Sequence, residues 1–232
     1  MPTLLITGAN RGLGLELARR YAADGWDVLA CCRSPENARE LNQLAAAFGG
    51  KVSVHLLDVA NNAQRQSLAA QFKGRPIDIL FNNAGVSGNW GTQSFGPCQS
   101  DEWLEVLRTN VIAPTLMMQD FATNVAMSDR KIIANMSSKM GSIADNTSGG
   151  SYVYRSSKAA LNMVSMSAAR DLARQGITVV ALHPGWVRTD MGGPNGELSV
   201  EESVTALKRN LTNVTVADSG RFIDIDGSTI PW

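Results

Sequence analysis

Thr3-Leu4-Leu5-Ile6-Thr7 runs straight into Gly8-Ala9-Asn10-Arg11-Gly12-Leu13-Gly14, and the reading of that junction decides the fold. The first five residues are β-branched or aliphatic, as a short buried strand requires. Beyond the glycines, Leu13, Leu17, Ala18 and Tyr21 recur on one helical face, while Glu16, Arg19, Arg20 and Asp24 lie elsewhere. The order is strand, glycine turn, helix. Glycines at such a junction let the backbone turn tightly and approach a pyrophosphate, whose charge the helix N-terminus then meets. A glycine-rich turn alone says little, because loops are rich in glycine; its place between strand and helix gives it weight.

The same alternation continues along the chain. Trp26–Cys32 has the pattern of a second strand, and Glu36–Phe48, opened by Ser34-Pro35, that of a helix. Lys51–Leu57 alternates as a strand and ends at Asp58-Val59; Asn61–Phe72 is helical; Ile77–Phe81 is an apolar strand ending in Asn82-Asn83-Ala84-Gly85. The polar loop to Ser100 says little residue by residue. From Asp101 one long helix carries Trp103, Leu104, Leu107, Val111, Met118 and Phe121, with a kink expected at Pro114. A strand at Lys131–Asn135 leads to Ser137-Ser138. A helix follows from the Tyr154 region to about Arg174, then a strand at Ile177–Leu182 and a break at His183-Pro184-Gly185. A helix at Val200–Leu211 and a strand at Phe222–Ile225 close the chain. This rhythm predicts an α/β fold: a single doubly wound parallel sheet of the Rossmann type, helices on both faces, one domain over residues 1–232. Ligands of such sheets bind outside the carboxyl ends of the strands. The glycine turn, Asp58-Val59, Asn82 to Gly85, Ser137-Ser138 and Pro184-Gly185 all fall there, and packing alone does not explain that convergence.

Composition narrows the class. Positive and negative side chains balance at 21 each, so neither nucleic acid nor an anionic membrane is the expected partner. No apolar run approaches the ~20 residues of a membrane span, and Met1 to Gly8 lacks the basic and apolar regions of a signal peptide. Cys31, Cys32 and Cys98 form no metal or redox spacing, and His55 and His183 are far apart in sequence. The expectation is a reduced, cytoplasmic protein with no disulfide and no metal.

Tyr154-Arg155-Ser156-Ser157-Lys158 places a phenol and an ammonium one turn apart on one helix face. A free tyrosine titrates near pH ~10, too high for easy proton exchange at neutrality; a neighbouring cation favours the phenolate and lowers that value. A tuned tyrosine can protonate a carbonyl oxygen or deprotonate an alcohol. The plainer alternative is a half-buried Tyr and a solvated Lys on a surface helix. Tyr152 has Ser156 in the equivalent place, so the pairing belongs to Tyr154 alone.

Thr7-Gly8-x-x-x-Gly12-x-Gly14, Asp58-Val59, Asn82-Asn83-Ala84-Gly85, Asn110, Ser138, Tyr154-x-x-x-Lys158 and Pro184-Gly185-x-Val187-x-Thr189 together resemble the short-chain dehydrogenase/reductase family in order and approximate spacing. The resemblance spans nearly the whole chain. More narrowly, His183 to Gly193 and Asp226-Gly227 with Pro231-Trp232 are similar to the C-factor and sniffer-type carbonyl reductases. The resemblance implies Tyr154 as general acid, Lys158 lowering its pKa and bonding the nicotinamide ribose, Ser138 holding the carbonyl, and Asn110 completing a water-linked proton relay. Ser138 as an ordinary turn serine and Asn110 as a helix-bending residue are the plainer alternatives. It further implies a cofactor site of Gly8, Asn10, Arg11, Gly12, Leu13, Gly14, Asp58, Val59, Asn83, Ala84, Gly85, Pro184, Val187 and Thr189, joined by Tyr154 and Lys158. Trp186 is either an aromatic wall for the substrate or packing for the last helix.

The expected activity is NADP-dependent reduction of an aldehyde or ketone to an alcohol, with a small-molecule carbonyl or alcohol as substrate. The alternative is a dinucleotide-binding signalling or regulatory protein on the same fold. NADP rather than NAD is expected because no Asp or Glu stands at the end of the second strand, where an acidic residue would meet the ribose 2′-hydroxyl. Cys32 and then Arg33 stand there, and Arg11 lies in the glycine turn; guanidinium groups suit a 2′-phosphate. A homodimer or homotetramer is expected from Met117, Met118, Met163, Met166, Ala168 and Ala169, more apolar and small residues than one sheet face needs.

Overall fold

Leu4, Leu5 and Ile6 have no exposed surface, because both faces of their strand are covered. That strand, β1 (Thr3–Thr7), lies near the middle of a sheet with β2 (Asp27–Cys32), β3 (Val52–Leu56), β4 (Ile79–Asn82), β5 (Ile132–Met136), β6 (Thr178–Leu182) and β7 (Phe222–Ile223). The computed structural model describes residues 1–232. All seven strands are parallel, in the order β3-β2-β1-β4-β5-β6-β7. The chain builds outward from β1 on one side, then returns to place β4 on the other. The carboxyl ends of β1 and β4 therefore diverge into a crevice.

Successive residues of a strand face opposite sides, and each side has its own helices. Leu4 and Ile6 pack with Leu17, Leu41 and Leu207 beneath α1 (Gly12–Ala23), α2 (Arg39–Ala47) and α7 (Val200–Asn213). Leu5 packs with Leu68, Met117 and Phe121 on the face covered by α3 (Asn62–Gln71), α5 (Ala113–Ala126) and α6 (Tyr152–Asp171). Each such buried side chain stabilises the fold by about 1.5–3 kcal/mol. The remaining helix, α4 (Ser100–Leu107), leads toward α5. A reciprocal capping box starts α7: Ser199 Oγ accepts from Glu202 N at 3.1 Å and Ser199 N donates to Glu202 Oε2 at 2.7 Å.

Three element expectations change. Pro35–Asn37 forms a 3₁₀ turn and α2 starts only at Arg39. The final strand is two residues rather than four. The long helix expected from Asp101 is interrupted not at Pro114 but by a π turn at Arg108–Ile112. Pro114 follows the π turn directly in a continuous run of helical backbone, and its missing N–H falls where that wider turn ends.

The oligomer argument also changes. Met117, Met118 and Ala169 are buried against the sheet rather than left over for a partner. Met166 and Ala168 are half-buried, and Met163 alone of the six is exposed. No helix is long and apolar enough to cross a membrane.

Candidate active site

The glycine turn is braced from the next strand. Asn83, just past β4, donates from Nδ2 to the carbonyls of Thr7 and Gly8 at 2.9 and 3.1 Å. Thr7 Oγ1 in return accepts from the Asn83 and Ala84 amides at 3.1 and 3.0 Å. Gly14 lies so close to this brace that an added Cβ would collide with the Gly8 carbonyl oxygen. Gly8 has φ +67° and its Cβ would meet Ala84 Cα at 3.0 Å. Gly12 is different. Its φ is +54°, and an added Cβ would meet only Thr189 Cγ2, at 3.8 Å. It faces open space beside the first turn of α1, whose preceding Arg11 makes no side-chain cap. Uncapped amides at a helix N-terminus fit an anionic pyrophosphate. Asn10 is exposed and Leu13 packs partly into the core.

The loop after β6 closes on this turn. Val187 is buried, Pro184 O accepts from Ser203 Oγ at 2.6 Å, and Thr189 Oγ1 accepts from Gly192 N at 3.1 Å. Arg11 pairs with Asp190 across the opening. Trp186 donates its indole N–H to Gly192 O at 2.8 Å, pinning its own loop, and half of it stays exposed. Arg33 is exposed at the end of β2. Asp58 turns its carboxylate into its own loop, accepting from Ala60 N at 3.0 Å, and Val59 is buried beside it.

On the other side of the crevice, Tyr154, Lys158 and Ser138 meet below the ends of β4 and β5. All three are buried. Lys158 Nζ donates to Met136 O at 2.9 Å and lies 5.6 Å from the Tyr154 ring centre. Burial lowers the Lys158 pKa to about 8. Burial likewise raises Tyr154 to about 12, opposed by the neighbouring Ser138 hydroxyl. The expected lowering of the phenol by Lys158 is therefore not the dominant effect: desolvation of the phenolate outweighs it. Ser138 Oγ accepts from Met140 N at 3.2 Å, and its own proton points to the Tyr154 phenol oxygen. Gly141 allows this turn to lie against α6, since its Cβ would stand 2.7 Å from the Lys158 carbonyl carbon.

Asn110 occupies the π turn and is clasped to one backbone unit. Its Oδ1 accepts from Val86 N at 2.9 Å, and its Nδ2 donates to Val86 O at 2.8 Å and to Ser157 Oγ at 3.0 Å. Gly85 lies between these groups; its Cβ would be 3.3 Å from Asn110 Oδ1 and 3.6 Å from Lys158 Nζ. The π turn thus carries a buried amide that organises the loop after β4.

Two residues of that loop escaped the sequence reading. Trp90 sets its ring edge-to-face on Tyr154, with centroids 5.3 Å apart. Gln93, 1% exposed, bonds the first turn of α6. Neither has a local signal, because each acts on a helix some sixty residues away.

The arrangement offers a proton donor, a hydroxyl hydrogen-bond donor and a buried cation at one end, and a glycine turn with free helix amides at the other. The model of the family described as short chain dehydrogenase matches residues 2–198. C-signal of Myxococcus xanthus is 40% identical over 157 residues, covering 68% of this chain and 93% of that one. Among solved structures, the carbonyl reductase Sniffer of D. melanogaster superposes with a TM-score of 0.93 at 34% identity, covering 100% of both chains. The NADPH-bound carbonyl reductase from chicken fatty liver gives 0.92 at 34% identity, covering 100% of this chain and 99% of that one. The chain belongs to the short-chain dehydrogenase/reductase family and is an oxidoreductase of that family.

Proposed function

We propose that the protein reduces an aldehyde or ketone to an alcohol with NADPH, and that Tyr154 supplies the proton. The observation that carries this reading is the convergence of Tyr154, Ser138 and Lys158, all buried, at the carboxyl edge of β4 and β5. The nicotinamide, when bound, supplies the hydride. The glycine turn with the first amides of α1 would hold the pyrophosphate, and Asn83, Ala84 and Gly85 would let the backbone pass beneath the cofactor. Asp58 and Val59 would border the adenine, Arg33 and Arg11 the 2′-phosphate, and Pro184, Val187 and Thr189 the carboxamide end.

Within the chain, the Ser138 hydroxyl turns its proton from the Tyr154 oxygen to the substrate oxygen and orients it. Tyr154 remains protonated throughout the neutral range, with its pKa near 12, and so is ready as an acid. The alkoxide developing on the substrate oxygen is more basic than the phenolate, so the proton moves from Tyr154 Oη to that oxygen. Lys158, whose ammonium lies 5.6 Å from the ring centre, then offsets the charge left on the phenolate. Asn110 holds Val86 and Ser157 rather than standing free, which fits a role in shaping the site and leaves any proton relay to solvent beside it.

The similarity to C-signal favours one second reading: a dinucleotide-binding signalling protein with little turnover. Both readings are tested by Tyr154→Phe, assayed by loss of NADPH absorbance on a panel of aldehydes, diketones, quinones and keto-steroids. The expected result is a kcat lower by about 100-fold or more with NADPH affinity retained. Wild-type turnover in Tyr154→Phe overturns the assignment; no turnover of any panel member by wild type favours the signalling reading.

A further inference from the structure

The first turn of α6 lacks an ordinary cap. Ser151, the residue before it, has φ +48° and makes no side-chain cap bond. Two orphan amides of this turn are instead met by a residue from the loop after β4. Gln93 O accepts from Tyr152 N at 2.9 Å, and Gln93 Oε1 accepts from Tyr154 N at 2.8 Å. A helix N-terminus normally finds these acceptors in its own N-cap. Here the acceptors come from 61 residues away, and one of the two amides belongs to the tyrosine of the site itself.

Gln93 is also anchored behind. Its Nε2 donates to Ser87 O at 2.7 Å, and the loop between is tied to α4 by Glu102, which accepts from Asn89 N and from Thr92 Oγ1. Ser87 follows Val86, the unit clasped by Asn110. Trp90, three residues before Gln93, rests edge-on against the Tyr154 ring. One loop thus fixes Tyr154 twice, by its backbone amide and by its ring.

We infer that Gln93 is a positioning residue for the reaction: it caps α6 in trans and thereby sets the register of the Tyr154 phenol against the groups held by Asn110 and Gly85. The inference rests on Tyr154 being the proton donor. Tyr154 N is the third amide of α6, the one an N-cap side chain ordinarily meets, so the bond that secures the helix start also fixes the backbone of the tyrosine. A displacement of the donor by about an ångström costs roughly 100-fold in rate in general, so loss of this bond falls on the chemical step rather than on cofactor binding.

The test is Gln93→Met, which keeps the length of the side chain and removes both amide groups. NADPH sites are titrated by fluorescence and kcat is expressed per titrated site, so a misfolded fraction cannot lower the result. The expected outcome is a kcat per site about tenfold to 100-fold lower, an NADPH Kd within about twofold of wild type, and a larger solvent deuterium isotope effect. Should Gln93→Met fail to fold, Gln93→Asn keeps the amide one methylene shorter and is expected to lower kcat per site several-fold. Wild-type kcat per site in either folded variant overturns the inference, as does a loss confined to NADPH affinity. Tyr154→Phe is run alongside: if it retains turnover, the assignment of the proton donor has failed; if it does not, a normal Gln93→Met counts against Gln93 alone.

Discussion

Lys158 shows most plainly how a residue of the site trades stability for chemistry. Its ammonium is buried with one carbonyl partner, Met136 O, and burial takes its pKa from 10.5 to about 8. Between those values the unfolded chain binds more protons than the folded one, so stability rises with pH across that window. At pH 7 the buried charge costs on the order of 3 kcal/mol, set against a hydrogen bond from a charged donor worth about 1.5–3 kcal/mol. Lys158→Met is therefore expected to be the more stable protein, by about 1 kcal/mol or roughly 2–4 °C in Tm at pH 7, while losing most of its turnover. Calorimetry at pH 7 decides this, and an unchanged or lower Tm refutes it. For the wild type, kcat/KM is expected to fall as pH rises through about 8, where the ammonium is lost.

At the scale of elements, the passage from α4 to α5 carries the next lesson. Its π turn inserts Asn110 into the backbone of the loop after β4, and Pro114 merely starts the following helix. The same helices bear on self-association. Met117, Met118 and Ala169 face the sheet, yet Leu104, Ile112 and Met163 are each more than half exposed. Apolar side chains standing out from α4, α6 and the π turn would be removed from water by a partner. We propose that they meet a second copy, as a homodimer or homotetramer. Light scattering at micromolar concentration is expected to give a multiple of 24.8 kDa, and a particle of 24.8 kDa alone would speak against it.

Across the whole molecule, the strand order brings the end of β2, the start of α1 and the loop after β6 to one side of the crevice. Arg33 is exposed there, and Arg11 is paired with Asp190. A 2′-phosphate has a guanidinium to meet, whereas a 2′-hydroxyl has no carboxylate at the end of β2 to bond. The proposed preference for NADPH follows. A charge-assisted hydrogen bond is worth about 1.5–3 kcal/mol, so Arg33→Ala is expected to lower the ratio of kcat/KM with NADPH to that with NADH about tenfold or more. A wild type that prefers NADH, or a ratio that the substitution leaves alone, removes the basis for this preference.

The doubly wound sheet, and the positions of Gly8, Gly14, Asn83, Ser138, Tyr154 and Lys158 at its edge, were legible in the chain. The sheet, the glycine turn and the Tyr154–Lys158 pair depend on local chemistry: a period of two or 3.6, a glycine where a strand becomes a helix, a spacing of four along one helix face. The roles of Ser138 and Asn83 came from resemblance to the family. The turn from Asn83 to Thr7 and the closing of the loop after β6 add tertiary bonds to places already marked by their residues. Gln93, Trp90 and the π turn at Asn110 were not legible. Their partners, Tyr154 and Val86, lie far along the chain or across a turn whose register no local pattern announces. The pKa values were decided there too, because desolvation depends on what covers a group rather than on which residue stands four places away. Local pattern determined the scaffold and marked the candidate groups. The tertiary structure alone decided how those groups are held and charged, since burial and cross-chain hydrogen bonds exist only once distant segments have packed.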